Sequence, residues 1–241
     1  LKSLRAWAIV PAMPKIKLGA SDGHELDAHR VDPLRRPIGG VVVVQEIFGV
    51  NRHMQAVAAR LAAAGWSVIV PAFFDRIEPG VELGYGPEDF ARGRELVGKL
   101  DIDHVMLDLQ AAIDVLKPRG GGVGIEDGVG IVGYCWGGAV AWLGAARLEH
   151  VSVAVSYYGS RILNYADEHP RVPTMLHVGR ADASFPIEKV RELGNRYRDL
   201  AIHEYDAGHG FDCDHRADFD STASAHALTR TLAWLHGPIG P

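Results

Sequence analysis

Only two of the 241 residues are cysteine, Cys135 and Cys213, too few for the disulfide framework of a small secreted scaffold. No stretch approaches the roughly 20 consecutive apolar residues that a membrane-spanning helix needs. Basic blocks are missing as well: 25 Lys and Arg stand against 30 Asp and Glu, a net charge of −5. Neither a nucleic acid nor a membrane surface is therefore expected as a partner. What remains is a chain 47% hydrophobic and 23% charged, ordinary for a globular protein. At this length one core buries about 75% of the unfolded surface, so neither disulfides nor structural metals are required. One domain over residues 13–241, monomeric by default and in the reducing cytoplasm, is the expectation.

The first residues stand apart. Lys2 and Arg5 precede the apolar run Ala6-Trp7-Ala8-Ile9-Val10, which Pro11 interrupts. That run is shorter than the roughly 7–15 residues of a signal-peptide core. Residues 1–12 are expected to be a flexible or expression-derived leader, with Met13 as the natural start.

Patterning begins after Met13. Lys15 to Val31 reads as two extended runs around Asp22-Gly23, a dipeptide suited to a tight hairpin turn. Val41 to Val44 is an uninterrupted β-branched run, the mark of a strand covered on both faces. Asn51 is placed to cap a helix carrying Met54, Val57, Ala58, Leu61 and Ala62 at helical spacing, with Gly65 at its end. Trp66 to Val70 is again a buried-strand pattern, closed by Pro71. Helices are expected after Pro87 and through Val105, Leu109, Ala112 and Leu116. Strands are predicted over Val129–Tyr134, Val151–Tyr157, Thr174–Val178 and Ile202–Tyr205. Between and after them, helices are predicted over Trp136–Leu148, Ile187–Leu200 and Thr222–Leu235, with Gly120-Gly121-Gly122 a surface loop. This alternation predicts an α/β fold with a mostly parallel sheet, helices on both faces and an N-terminal β-hairpin.

The strongest chemical signal is Gly133-Tyr134-Cys135-Trp136-Gly137-Gly138, at the junction of a strand and a helix. Small residues flank a nucleophile on such an elbow because the turn is too sharp for bulky ones. A helix N-terminus also favours the thiolate. Taken alone, the hexapeptide fits a buried structural cysteine equally well. A nucleophile needs a base, and the base needs a third group to orient it. Asp182 follows the strand ending at Val178, and His209 follows the strand ending at Tyr205. Both lie at strand ends and in the chain order that this architecture uses, nucleophile, acid, histidine. Cys135, Asp182 and His209 are therefore the expected catalytic triad.

Two weaker patterns carry less. Gly128 to Gly133 matches G-x-G-x-x-G by count, but the predicted strand lies inside the match, so no dinucleotide is expected. His209, Cys213 and His215 have no zinc-like spacing, and a triad needs His209 free. Neither metal nor cofactor is expected.

With Gln45-Glu46-Ile47-Phe48-Gly49-Val50-Asn51, Tyr157-Tyr158-Gly159 and Ala207-Gly208-His209-Gly210-Phe211 added to the elbow, the chain resembles the dienelactone hydrolase family of α/β hydrolases from about Lys15 to Leu235. The resemblance implies hydrolysis of a small-molecule ester or lactone. Cys135 would be the nucleophile, His209 the base, and Asp182 its orienting carboxylate. The backbone N–H groups of Ile47 and Trp136 would form the oxyanion hole, as the fold also suggests. Glu46, costly at the end of a valine strand unless paired or wetted, would hold the resting thiol and release it when substrate arrives. Family members clamp a substrate carboxylate with two arginines. Where one of them would stand, four residues past the histidine, this chain has Cys213, with Arg216 nearby. For the other, Arg92 and Arg94 are candidates and Arg76 a weaker one. The alternatives are a related cysteine esterase or thioesterase, and a non-catalytic redox sensor using Cys135 and Cys213.

Overall fold

Four valines in a row can serve a strand only if both of its faces are covered. Their side chains alternate, so Val41 and Val43 join one hydrophobic cluster and Val42 and Val44 the other. The computed structural model describes residues 15–117 and 128–239. The leader expected at residues 1–12, Met13 and the triple-glycine loop lie outside these residues.

The strands are β1 (Lys15–Gly19), β2 (Glu25–Val31), β3 (Gly39–Val44), β4 (Trp66–Pro71), β5 (Val129–Tyr134), β6 (Val151–Tyr157), β7 (Thr174–Gly179) and β8 (Ala201–Tyr205). They form one sheet in the order β1-β2-β4-β3-β5-β6-β7-β8. The β1–β2 hairpin, turning at Asp22-Gly23, is antiparallel and continues antiparallel onto β4. All the other pairings are parallel. The fold is that of an α/β hydrolase.

The helices are α1 (Arg52–Ala63), α2 (Pro87–Lys99), α3 (Ile102–Leu116), α4 (Trp136–Arg147), α5 (Ile187–Arg196) and α6 (Ser221–Ile239). Apolar residues of α2, α3, α4 and α5 cover one face of the sheet, while those of α1 and α6 cover the other. Asn51 caps α1 as its position predicted, its side chain accepting from the Met54 amide at 3.3 Å.

Two helices differ from expectation by more than one residue. The α5 helix stops at Arg196 rather than Leu200 because Tyr197 is pinned in an extended conformation. Its ring stacks on His169 and its hydroxyl donates to the Ala166 carbonyl at 2.8 Å. At the other end, α6 outruns Thr222–Leu235. Short 3-10 turns over Phe73–Arg76 and Ser160–Tyr165 were not predicted.

Candidate active site

The elbow is built by exclusion of side chains. A Cβ on Gly133 would come within 1.9 Å of the Gly137 carbonyl oxygen, so the turn between β5 and α4 closes only around glycine. Cys135 at its apex has φ of 54°, a left-handed conformation that costs energy for a non-glycine residue and lifts its side chain clear of strand and helix. Its amide donates to the Tyr157 carbonyl at 2.9 Å, which ties the apex to β6.

Asp182 comes from the turn after β7. One carboxylate oxygen accepts from the amides of Ser184 and Phe185 at 2.8 and 3.2 Å, which leaves the other free to point at histidine. His209 follows β8, and the two turns are joined because the Ala181 amide donates to the Ala207 carbonyl at 3.0 Å. The outcome is a continuous chain: Asp182 Oδ2 lies 2.7 Å from His209 Nδ1, and His209 Nε2 lies 3.2 Å from Cys135 Sγ. Burial alone would push the imidazole down. The hydrogen bonds to Asp182 and Cys135, with the charges of both partners, outweigh it and raise His209 to about 10.

The loop past His209 is held from below. Asp212, buried, accepts from Arg60 of α1 at 2.7 Å and from the Ser224 hydroxyl at 2.6 Å. The next residue, Cys213, is a free thiol that is 0% exposed, so it lies in the interior rather than at a pocket mouth. Burial, together with the nearby Glu46 charge, pushes this thiol up to about 12.

Glu46, at the end of β3, is also 0% exposed. The Tyr85 hydroxyl donates to its Oε2 at 3.2 Å, and Arg216 Nη1 lies 3.8 Å from its Oε1. Desolvation raises its pKa above the usual carboxylate range, against the lowering influence of Arg216, His209 and Tyr85. Ile47 and Trp136 are both buried, and Trp136 opens α4, where no preceding turn can accept its amide. Helix α2 packs tightly against this segment. A Cβ on Gly93 would meet the Ile47 carbonyl oxygen at 2.2 Å, so that glycine permits the approach.

The arginines divide sharply. Arg92 pairs with Glu78 and Glu95, and Arg94 is exposed on the same helix. Arg76 makes a two-pronged contact with Asp108, at 2.7 Å for each nitrogen, and a further one with Asp22. Arg216, by contrast, is drawn in against Glu46, with its guanidinium over the Phe90 ring. Sequence reasoning missed His53 and Tyr85, and it gave no role to Tyr158, whose ring lies 5.1 Å from that of His209. Of these His53 left a signal, an ionisable residue beside Met54 on the apolar side of α1. His215, considered with His209 and Cys213 as a metal pattern, stacks instead on Tyr85.

Residues 26–237 match the dienelactone hydrolase family. The carboxymethylenebutenolidase of Pseudomonas putida is 33% identical over 232 residues, covering 91% of this chain and 94% of that one. The chain belongs to the dienelactone hydrolase family. The same identity and coverage hold for the carboxymethylenebutenolidase of Pseudomonas knackmussii. Among solved structures, one from Klebsiella pneumoniae superposes with a TM-score of 0.80 at 28% identity, covering 94% of this chain and 99% of that one. An esterase of Pyrococcus furiosus shares the fold at 18% identity, with a TM-score of 0.69 and coverage of 95% and 93%. Among the described residues, no helix is long and apolar enough to cross a membrane.

Proposed function

We propose that this protein hydrolyses an ester or lactone bond of a small molecule through Cys135. The observation that carries this reading is the unbroken hydrogen-bonded chain from Asp182 through His209 to the Cys135 sulfur. Cys135 sulfur attacks the carbonyl carbon with its proton held on His209, whose raised proton affinity favours that transfer, and the carbonyl electrons move onto oxygen. The amides of Ile47 and Trp136 receive that oxyanion; among the described residues, neither donates to a backbone carbonyl in the turns and loops. Donors of this kind contribute about 2.7–4 kcal/mol each to the transition state. His209 then passes its proton to the departing alkoxide as the carbon–oxygen bond breaks, leaving a thioester. Water, deprotonated by His209, adds to the thioester, and the thiol leaves to regenerate the enzyme.

Glu46 sets when the thiol is used. Its charge opposes a negative sulfur, while in this structure the sulfur itself faces His209 Nε2. An incoming anionic substrate would compete for Arg216, the arginine nearest Glu46, and so couple binding to release of the thiol. The names of the Pseudomonas relatives support a lactone as the substrate class. The burial of Cys213 counts against a cysteine-pair sensor.

The deciding test is hydrolysis of p-nitrophenyl acetate and of a lactone series by the protein and by Cys135→Ala. A burst of p-nitrophenol is expected from the former. Turnover is expected to fall by at least about 10⁴-fold in the variant, with an unchanged melting temperature. Normal turnover by Cys135→Ala would remove the mechanism.

A further inference from the structure

A second group of ligand-type side chains lies beside the first. Glu46 follows β3, His53 sits in the first turn of α1, and Cys213 lies in the loop after β8. One ligand atom from each lies within 4.8 Å of the other two. Their exposures are 0%, 2% and 0%. We propose that Glu46, His53 and Cys213 form a buried zinc-binding site, a trio that no spacing in the sequence announces.

An independent observation points to a ligand. Glu46 Oε1 and His53 Nε2 are both buried without a hydrogen-bond partner. Buried polar atoms are nearly always paired, so orphans on two of the three members call for an occupant. The contrast with His177 is direct: that equally buried ring is bonded at both nitrogens, to Tyr205 at 2.8 Å and Thr231 at 3.0 Å. Burial, together with the charges of Arg60, His215 and Arg216, keeps His53 neutral by lowering it to about 3. A neutral imidazole with a free lone pair is the form that binds metal.

Oxygen, nitrogen and sulfur donors together suit zinc, at bond lengths of about 2.0–2.3 Å. A tetrahedron of that size separates its ligand atoms by roughly 3.3–3.8 Å, so the trio needs to contract by only about 1 Å. Charge also closes locally. On ligation the Cys213 thiol releases its proton to solvent, and thiolate plus carboxylate then balance the ion's two positive charges. Arg216 opposes the ion, and its contact with Asp218 at 3.7 Å partly offsets its charge. Tyr85, already donating to Glu46 Oε2, would orient that ligand from behind.

An ion here neutralises the charge of Glu46 without touching the nucleophile. Zinc should therefore slow turnover reversibly. That consequence rests on the proposed role of Glu46, whereas the binding itself does not.

The test titrates purified protein with cobalt(II), a spectroscopic substitute for zinc, and then displaces it with zinc. One equivalent is expected to bind, with a thiolate-to-cobalt charge-transfer absorption in the near ultraviolet. The absorption should persist in Cys135→Ala, disappear in Cys213→Ser, and require at least about tenfold more cobalt in His53→Phe. Should His53→Phe not fold, the two cysteine variants decide between them. Loss of the absorption in Cys135→Ala places the ion on the nucleophile and overturns the proposal. So does its retention in Cys213→Ser, or no uptake by the unaltered protein. The absorption is read without substrate, so a protein that hydrolysed no ester would still answer the question.

Discussion

Two sets of carboxylate, histidine and cysteine lie side by side at one end of this sheet, and they behave as opposites. In Asp182–His209–Cys135 each member bonds the next, at 2.7 and 3.2 Å, and His209 rises to about 10. In Glu46–His53–Cys213 the carboxylate is engaged by Tyr85 and approached by Arg216, the ring nitrogen of His53 has no partner, and His53 falls to about 3. The same three side-chain types thus give a hydrogen-bonded chain in one place and a trio with two unpartnered polar atoms in the other. What separates them is not composition but whether the carboxylate is aimed at the ring. Asp182 has its second oxygen occupied by two amides and therefore faces His209 squarely.

The largest effect should come from breaking that aim. Asp182→Asn keeps the shape but removes the charge and offers a donor to His209 Nδ1. Turnover on p-nitrophenyl acetate is expected to drop by about 10⁴-fold, the loss typical of such a change in a hydrolase triad. A loss under tenfold would show that His209 does not depend on Asp182.

The Glu46 side of the comparison is sharpened by Glu46→Gln. Removing the charge that opposes an ionised sulfur should speed alkylation of Cys135 by iodoacetamide in the substrate-free protein at neutral pH by about fivefold. Turnover should fall at the same time, since the exchange of partners is lost. Identical alkylation rates against pH in the two proteins would confine Glu46 to a structural role.

The smallest effect is on stability. His209 is raised above the roughly 6.5 of an unfolded histidine, so its pairing stabilises the fold fully below that pH. The contribution is lost as pH rises through about 10. The melting temperatures of wild type and Asp182→Asn should therefore differ most near pH 6 and converge as pH climbs through 10. A gap that is constant or widens with pH would contradict the shift assigned to His209.

Much of this arrangement was legible in the sequence because it depends on local signals. The valine run, the Asn51 cap and the glycines around Cys135 each act within a few residues, and each predicted its element. Asp182 and His209 were reachable because strand ends and chain order constrain where an acid and a base can stand. The arginines were not. Arg92, Arg94, Arg76 and Arg216 have the same long side chain, and which one turns inward depends on partners distant in sequence. Glu78 takes Arg92, Asp108 takes Arg76, and Glu46 faces Arg216. His53 was hidden for the same reason, since its two neighbours in the trio lie on other segments.

The order of strands also gives the protein a timetable. Glu46 and Cys135 follow β3 and β5, which pair at the middle of the sheet, whereas Asp182 and His209 follow β7 and β8 at its edge. Domains emerging from a ribosome are made from the N-terminal end forward. A nascent chain that has reached β6 therefore carries its sulfur and the carboxylate that opposes its ionisation, but has no base. The sulfur gains its base only after His209 has been synthesised and β8 has docked against β7. Reactivity thus arrives last, after the scaffold that confines it.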